Sequence, residues 1–240
     1  MNFIENRGKT MEALMIYDNY TSNEKIIHGW GFSCLLDGHI LFDTGEDGPK
    51  MLENLNSLQV SLSDISDIVI SHDHWDHQGG LWALLEKRPG INVYSCPGFS
   101  QEFKDKVKGL DGNLIELVGL TEISTGIYST GEIIASYKEE PISEQVLICK
   151  TGEGLSVVTG CAHPGIISIL DRAVELFPDQ DLNTLMGGFH LYKNSEKEAE
   201  TVYGKLKEYG FKNYGGTHCT GDFAKQFNTF EIAAGSRIAF

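Results

Sequence analysis

Three histidines fall within six residues, His72, His74 and His77, in the run Ser71-His-Asp-His-Trp-Asp-His77. An apolar strand signal, Ile68-Val69-Ile70, precedes the run, and Gln78-Gly79-Gly80 leads out of it into a helical pattern. Imidazoles two residues apart on an extended loop point the same way, so His72 and His74 can grip one ion. Asp76 and His77, just inside the turn, can face a second. Three further histidines repeat the context. His163 lies in Gly160-Cys161-Ala-His163-Pro-Gly165, after the apolar residues 155–159. His190 lies in Gly187-Gly-Phe-His190-Leu, after 182–186, and His218 in Gly215-Gly-Thr-His218-Cys219-Thr-Gly221, after 211–214. Each is a strand, then glycines, then a histidine, then a helix start. Strand-end loops on a rigid sheet are where side chains are aimed at a common target. A fold that uses this pattern must therefore bring four such ends to one edge. His28 and His39 flank the early strands and read as hairpin or surface histidines.

The order of elements is compatible with that demand. Strands are expected at 11–18, 26–37 and 39–43, with Asp37-Gly38 as a tight hairpin turn. Gly48-Pro49 opens a helix carrying Met51, Leu52, Leu55 and Leu58 at helical spacing. A buried strand at 67–71, a helix at 78–88, a strand at 91–95 and a helix after Cys96-Pro97-Gly98 follow. Residues 113–159 read as four or five strands punctuated by Gly126, Gly131, Pro141, Gly152 and Gly154. Helix and strand then alternate: helix 165–177, strand 182–187, helix 195–209, strand 211–216, helix 221–228 and a last strand at 236–240. One domain spanning 1–240, with two sheets packed together and helices outside, fits this order.

Composition limits the partners. With 19 Lys+Arg against 34 Asp+Glu the net charge is −15, which disfavours a nucleic-acid polymer because phosphate contacts need lysine and arginine. A small anionic substrate stays open, since a bound metal can dominate a local field. Residues 1–10 are polar and lack the apolar core of a signal peptide, and no apolar run is long enough to span a bilayer. Five cysteines without a CxxC pair disfavour a disulfide framework. The expected location is the cytoplasm, the expected partner a small molecule, with a homo-oligomer open. Cys34 and Cys149, in apolar strand-like runs, read as inert buried thiols.

His72-x-His74-x-Asp76-His77 resembles the metal-binding signature of the metallo-β-lactamase-fold superfamily, and Ile40-Leu-Phe-Asp43-Thr-Gly45 is similar to its earlier motif. Thr159-Gly-Cys-Ala-His163-Pro-Gly, Gly187-Gly-Phe-His190-Leu and Thr217-His218-Cys-Thr-Gly221 resemble one branch of it, the 7,8-dihydropterin-6-yl-methyl-4-(β-D-ribofuranosyl)aminobenzene 5′-phosphate synthase-like proteins. The resemblance implies an α/β, four-layer αβ/βα sandwich of two mixed sheets with a dinuclear site at one edge. It also implies a structural role for Asp43. Two departures stand out. No histidine occurs between His77 and His163, and Cys161 stands where the superfamily commonly has a bridging aspartate. His163 is therefore assigned to the vacant slot. Cys161 is left as a thiolate ligand, a neighbour of ligands, or a small filler at a tight turn.

The resulting expectation is two divalent ions, zinc foremost and manganese or iron as alternatives. His72, His74 and His163 would hold the first, and Asp76, His77 and His218 the second and weaker one. Asp76 would also orient a nucleophile, and His190 would donate a proton or hold an oxyanion. Asp73 and His39 are candidate partners for the imidazoles, and Trp75 and Phe189 candidate walls for a flat heteroaromatic group. The favoured activity is a metal-dependent hydrolase or transferase acting on a small phosphorylated or pterin-like substrate. An iron-dependent oxidoreductase and a catalytically silent metal- or ligand-binding protein are the alternatives.

Overall fold

The computed structural model describes residues 10–240; residues 1–9, most of the polar start, lie outside the described part. The chain begins with the antiparallel strands β1 (Glu12–Tyr17), β2 (Ser33–Leu36) and β3 (Ile40–Phe42). Helix α1 (Gly48–Ser57) starts where the Asp47 carboxylate accepts the Lys50 amide at 2.9 Å and proline occupies the first turn. β4 (Asp67–Val69), α2 (Trp75–Gln78), α3 (Leu81–Lys87), β5 (Asn92–Ser95), α4 (Gln101–Gly109) and β6 (Asn113–Glu116) complete the first half. The second half runs β7 (Thr121–Ser124), β8 (Ile127–Ser129), β9 (Ile133–Tyr137), β10 (Glu140–Glu144), β11 (Leu147–Thr151), β12 (Gly154–Thr159) and α5 (Ile166–Leu176). It ends with β13 (Leu182–Gly188), α6 (Glu196–Tyr209), β14 (Asn213–Thr217), α7 (Asp222–Lys225) and β15 (Arg237–Ala239).

Two large mixed sheets result. One is ordered β15-β1-β2-β3-β4-β5-β6 and the other β14-β13-β12-β11-β8-β7, while β9 and β10 form a separate hairpin. Side-chain alternation sorts the strands into layers. Leu14 and Ile16 of β1 pack with Met51, Leu55, Leu81 and Phe103 of the helices on the first sheet. Ala13 and Met15 of the same strand turn the other way, onto Leu147, Val158 and Met186 of the second sheet. Leu155 and Val157 of β12 face Ile169 of α5 and Tyr203 of α6. The layers are thus helices, sheet, sheet, helices, the expected αβ/βα sandwich. Cys34 and Cys149 are buried between the sheets, as their apolar surroundings imply. No helix among the described residues is long and apolar enough to cross a membrane.

Three local expectations needed correction. Residues 113–159 hold seven strands rather than four or five, because the strands are only three to six residues long and their turns are minimal. The expected helix at 78–88 is split: Gly80 packs on the Thr44 carbonyl, where an added Cβ would come to 2.2 Å, and the chain re-enters helix only at Leu81. The expected strand at 26–37 is extended in a ladder only over Ser33–Leu36. Ahead of it the fully buried Asn54 stands in for a strand neighbour. Its amide donates to the carbonyls of Ile16 and Ile27 at 2.9 and 2.7 Å, and its oxygen accepts the Ile27 amide at 2.7 Å.

Removing that side chain strands buried backbone groups on two segments at once, and each costs about 1–3 kcal/mol when unpaired. Asn54→Ala is expected to lower unfolding stability by about 3 kcal/mol at an unchanged denaturant slope, as read from urea denaturation. A loss below about 0.5 kcal/mol would contradict this role for Asn54.

Candidate metal centre

The parallel strands β3, β4, β12, β13 and β14 all end at the same edge of the two sheets, and every candidate ligand follows one of those ends. The imidazole rings of His72, His74 and His163 stand 4.5 to 4.9 Å apart, centroid to centroid. His72 and His77 are 4.1 Å apart and His77 and His218 5.0 Å. Asp76 Oδ2 lies 3.5 Å from His218 Nε2 and 3.8 Å from His77 Nε2. All six residues assigned from the sequence to two ions are therefore gathered in one place.

What orients them is a set of neighbours mostly absent from the sequence reading. Asp43, in a left-handed backbone conformation just past β3, accepts the Ser71 amide and hydroxyl and the His77 Nδ1 proton, all at 2.7 Å. The Ser71 hydroxyl, having given its proton to Asp43, takes that of His72 Nδ1 at 2.8 Å. Glu144, at the end of β10 and fully buried, accepts the amides of Cys161, Ala162 and His163 and the His163 Nδ1 proton at 3.0 Å. Asn19, whose oxygen is fixed by the Gly31 amide, accepts from His218 Nδ1 at 3.0 Å. Each Nδ1 is thus a donor to protein, which leaves the lone pair on each Nε2 to the centre.

That arrangement fits a cation. His72 Nε2 is buried without a hydrogen-bond partner, and the Nε2 atoms of His77 and His218 face each other at 3.2 Å. Buried acceptors without donors are costly, and an ion between them removes the cost. Asp43 pushes His77 up to about 9 against the opposing effect of burial, so the position between His77 and His218 attracts positive charge, proton or metal. Burial and the neighbouring imidazoles hold His72 well below the ordinary histidine range and lower His74 to about 4, keeping both neutral and able to ligate. Burial alone would raise Asp76; the His218 imidazole 3.5 Å away and the charge of His77 outweigh it and hold the carboxyl low.

Cys161 is not a remote filler. Its sulfur, His72 and His163 offer ligand atoms within 4.8 Å of one another, and so do its sulfur, His77 and His218. It stands between the two imidazole groups, where the sequence left its role open. His190 joins from β13 in a left-handed conformation, its ring 4.6 Å from His163 and its Nδ1 3.6 Å from the Cys161 sulfur.

Above these residues opens a cavity of about 240 Å³, walled by Trp30, Trp75, Tyr137 and Tyr192, with Lys138 at its lip. Trp30 also donates its indole proton to Asp76 Oδ2 at 2.8 Å. Three expectations are corrected here. Phe189 is not a wall: it is buried among Tyr203 and the other residues of the helix-facing core. Asp73 binds Gln78 and the Ser100 amide instead of an imidazole. His39 bonds Asp37 and Ser124 at the far end of its strand. Sequence reasoning missed Glu144, Asn19, Ser71 and Tyr137. The one available signal was a glutamate set among apolar residues, Ile142-Ser-Glu144-Gln-Val-Leu147.

The model of the metallo-beta-lactamase superfamily matches residues 35–167. The chain is 25% identical over 249 aligned positions to the 7,8-dihydropterin-6-methyl-4-(β-D-ribofuranosyl)-aminobenzene-5′-phosphate synthase of Methanocaldococcus jannaschii, covering 85% of each. Its structure superimposes on that of a metal-dependent hydrolase of the beta-lactamase superfamily with a TM-score of 0.79 and 27% identity, over 95% of this chain and 98% of the other. The Zn(2+)-bound PqqB of Methylobacterium extorquens shares the fold at a TM-score of 0.65 and 12% identity, over 95% and 99% of the two chains.

Neighbours that fix a ligand's tautomer typically carry 10–100-fold in metal affinity. Glu144→Gln and Asp43→Asn are each expected to weaken metal binding by about that factor, measured by competition with a chromophoric chelator, with the far-ultraviolet circular dichroism unchanged. Equal affinity in both variants would remove these carboxylates from the centre.

Proposed function

The chain belongs to the metallo-beta-lactamase superfamily, and we propose that it is a metal-dependent hydrolase or transferase that acts on a small phosphorylated or pterin-like substrate. The observation that carries this reading is the convergence of the inward-facing Nε2 atoms of His72, His77 and His218 with the Asp76 carboxylate, beside an open cavity lined by His74, Asp76, His163 and His218. His72, His74 and His163 would hold one divalent ion and Asp76, His77 and His218 a second, with zinc the best match to an imidazole-rich set. When bound, the ions supply Lewis acidity and bring the pKa of a water toward ~7. The rest falls to the chain. Asp76, held by the Trp30 indole, orients the attacking water. His190 lines the cavity opposite and delivers the proton that the leaving group needs.

The cavity mouth supports the substrate class. Trp75 is 60% and Tyr192 38% exposed, large aromatic surface left in water, and Tyr137 sits edge-on to His74 and His163. Aromatic walls favour a flat ring between them. Lys138 and Lys193, each beside a tyrosine face, place positive charge at the rim. The pterin and phosphate in the name of the Methanocaldococcus relative agree with that combination. We place the enzyme in the cytoplasm, where thiols such as Cys161 stay reduced.

Purified protein is expected to carry at least two equivalents of zinc and to turn over one or more members of a panel of phosphoesters and phosphorylated pterins. His190→Ala should lower kcat by about 10²–10⁴ while the ions of the imidazole-rich centre stay bound. Iron with oxygen consumption in place of that turnover would overturn the reading. Lys138→Ala, by contrast, is expected to raise KM about tenfold for phosphorylated substrates with kcat little changed, since a rim charge contributes to binding alone.

A further inference from the structure

Cys219 has no part in the reading above, yet its side chain reaches the same chamber. It follows His218 on the short 3-10 turn after β14 and is 1% exposed. Its sulfur lies 3.2 Å from that of Cys161, and the ligand atoms of Cys161, His190 and Cys219 all fall within 4.8 Å of one another. Three separate loops, after β12, β13 and β14, deliver the three side chains.

The backbone is shaped around this contact. His190 holds a left-handed conformation, at φ 53°, and so does His218, at φ 49°. Such conformations are uncommon outside glycine. Gly188, two residues before His190, leaves the space the pair needs. A Cβ there would come to 2.7 Å from the Cys219 sulfur and 3.2 Å from the Cys161 Cα. The other three cysteines, Cys34, Cys96 and Cys149, are buried in the core clusters and belong to no such ligand group among the described residues.

Two buried thiols in contact have only a weak S–H···S bond to offer each other. Two sulfurs and an imidazole nitrogen at chelating distance are, in contrast, the donor set of a thiophilic ion, which binds thiolates and releases their protons. We propose that Cys161 Sγ, His190 Nδ1 and Cys219 Sγ form a third ion position, taking zinc or another thiophilic divalent cation, joined to the imidazole-rich centre through the shared sulfur of Cys161. Three protein ligands leave a fourth position open toward the cavity. Ligation through Nδ1 leaves the Nε2 proton of His190 for transfer. The third position shares His190 with the reaction proposed above but is read from cobalt uptake and not from turnover, so either can fail without the other.

Cobalt(II) distinguishes the positions, because only sulfur ligation gives a thiolate-to-cobalt charge-transfer band in the near ultraviolet. Metal-free, reduced protein is titrated with cobalt, and bound cobalt per chain is measured by elemental analysis beside the absorbance. Cys219→Ser is expected to bind one ion fewer than the wild type and to lose about half of the charge-transfer absorbance, one of two thiolates being gone. His190→Gln should also bind one ion fewer, which guards against a folding defect peculiar to the cysteine variant. His74→Ala, which cuts an imidazole ligand, should lose cobalt while retaining the Cys219-dependent part of the band. If Cys219→Ser and His190→Gln take up as much cobalt as the wild type, with the band undiminished in Cys219→Ser, the third position is refuted. Cobalt uptake indifferent to His74→Ala would instead refute the imidazole centre and leave this one standing.

Discussion

Two fully buried carboxylates, Asp43 from the first sheet and Glu144 from the central hairpin, hold the histidine-bearing loops in place. A buried carboxylate is costly unless every lone pair finds a donor. Glu144 meets that condition with three consecutive backbone amides and an imidazole, which fold the turn after β12 around it. Asp43 meets it with a backbone amide, a hydroxyl and an imidazole from the loop after β4. The same bonds that stabilise the carboxylates force the imidazoles to donate through Nδ1 and to present Nε2 inward. Burial pushes Asp43 above the ordinary carboxylate range, whereas the hydrogen bond from His163 draws Glu144 below it despite burial. Loop geometry and ligand chemistry are therefore one arrangement.

That arrangement explains why the site sits where it does. Parallel strands end together, and the five that matter end at one edge, where loops from both sheets can meet. His72 makes an isolated bridge to Glu144, tying the loop after β4 to the hairpin of β9 and β10. The hairpin in turn carries Tyr137 onto His74 and His163. Its register is fixed residue for residue from Glu140 opposite Tyr137 to Glu144 opposite Ile133. One element thus sets both the tautomer of a ligand and a wall of the cavity.

The sequence made the candidate ligands visible and the supports invisible, for a physical reason. His72, His74, Asp76 and His77 crowd into six residues, and His163, His190 and His218 each follow a strand and glycines, so local pattern suffices. Glu144, Asn19 and Cys219 are single polar residues whose meaning depends on which distant segment they touch. Glu144 acts on residues 17–19 positions away, and Asn19 on a histidine 199 positions away. Nothing local announces such pairings. Phe189 shows the converse error: adjacency to His190 suggested the cavity, but alternation along the backbone turned it into the core. The strand count of the centre was short because strands of three to six residues joined by short turns leave little room for a periodic signal.

The net charge of −15 takes on a different meaning once the site is located. At physiological ionic strength a surface charge is screened beyond roughly 8 Å, so most of the acidic excess is not felt inside the cavity. What is felt there is local. Among the charged residues that wall the cavity, Asp76 is the single carboxylate, and it is already engaged by Trp30 and His218. Lys138 stands at the lip, and every imidazole nitrogen turned inward is an invitation to a cation. With the proposed ions bound, an anionic group entering this chamber would meet them and a lysine, while a nucleic-acid polymer lying across the surface would meet the acidic excess at close range. Under the reaction proposed above, a small substrate is the one that fits within the field of the site and avoids that of the protein.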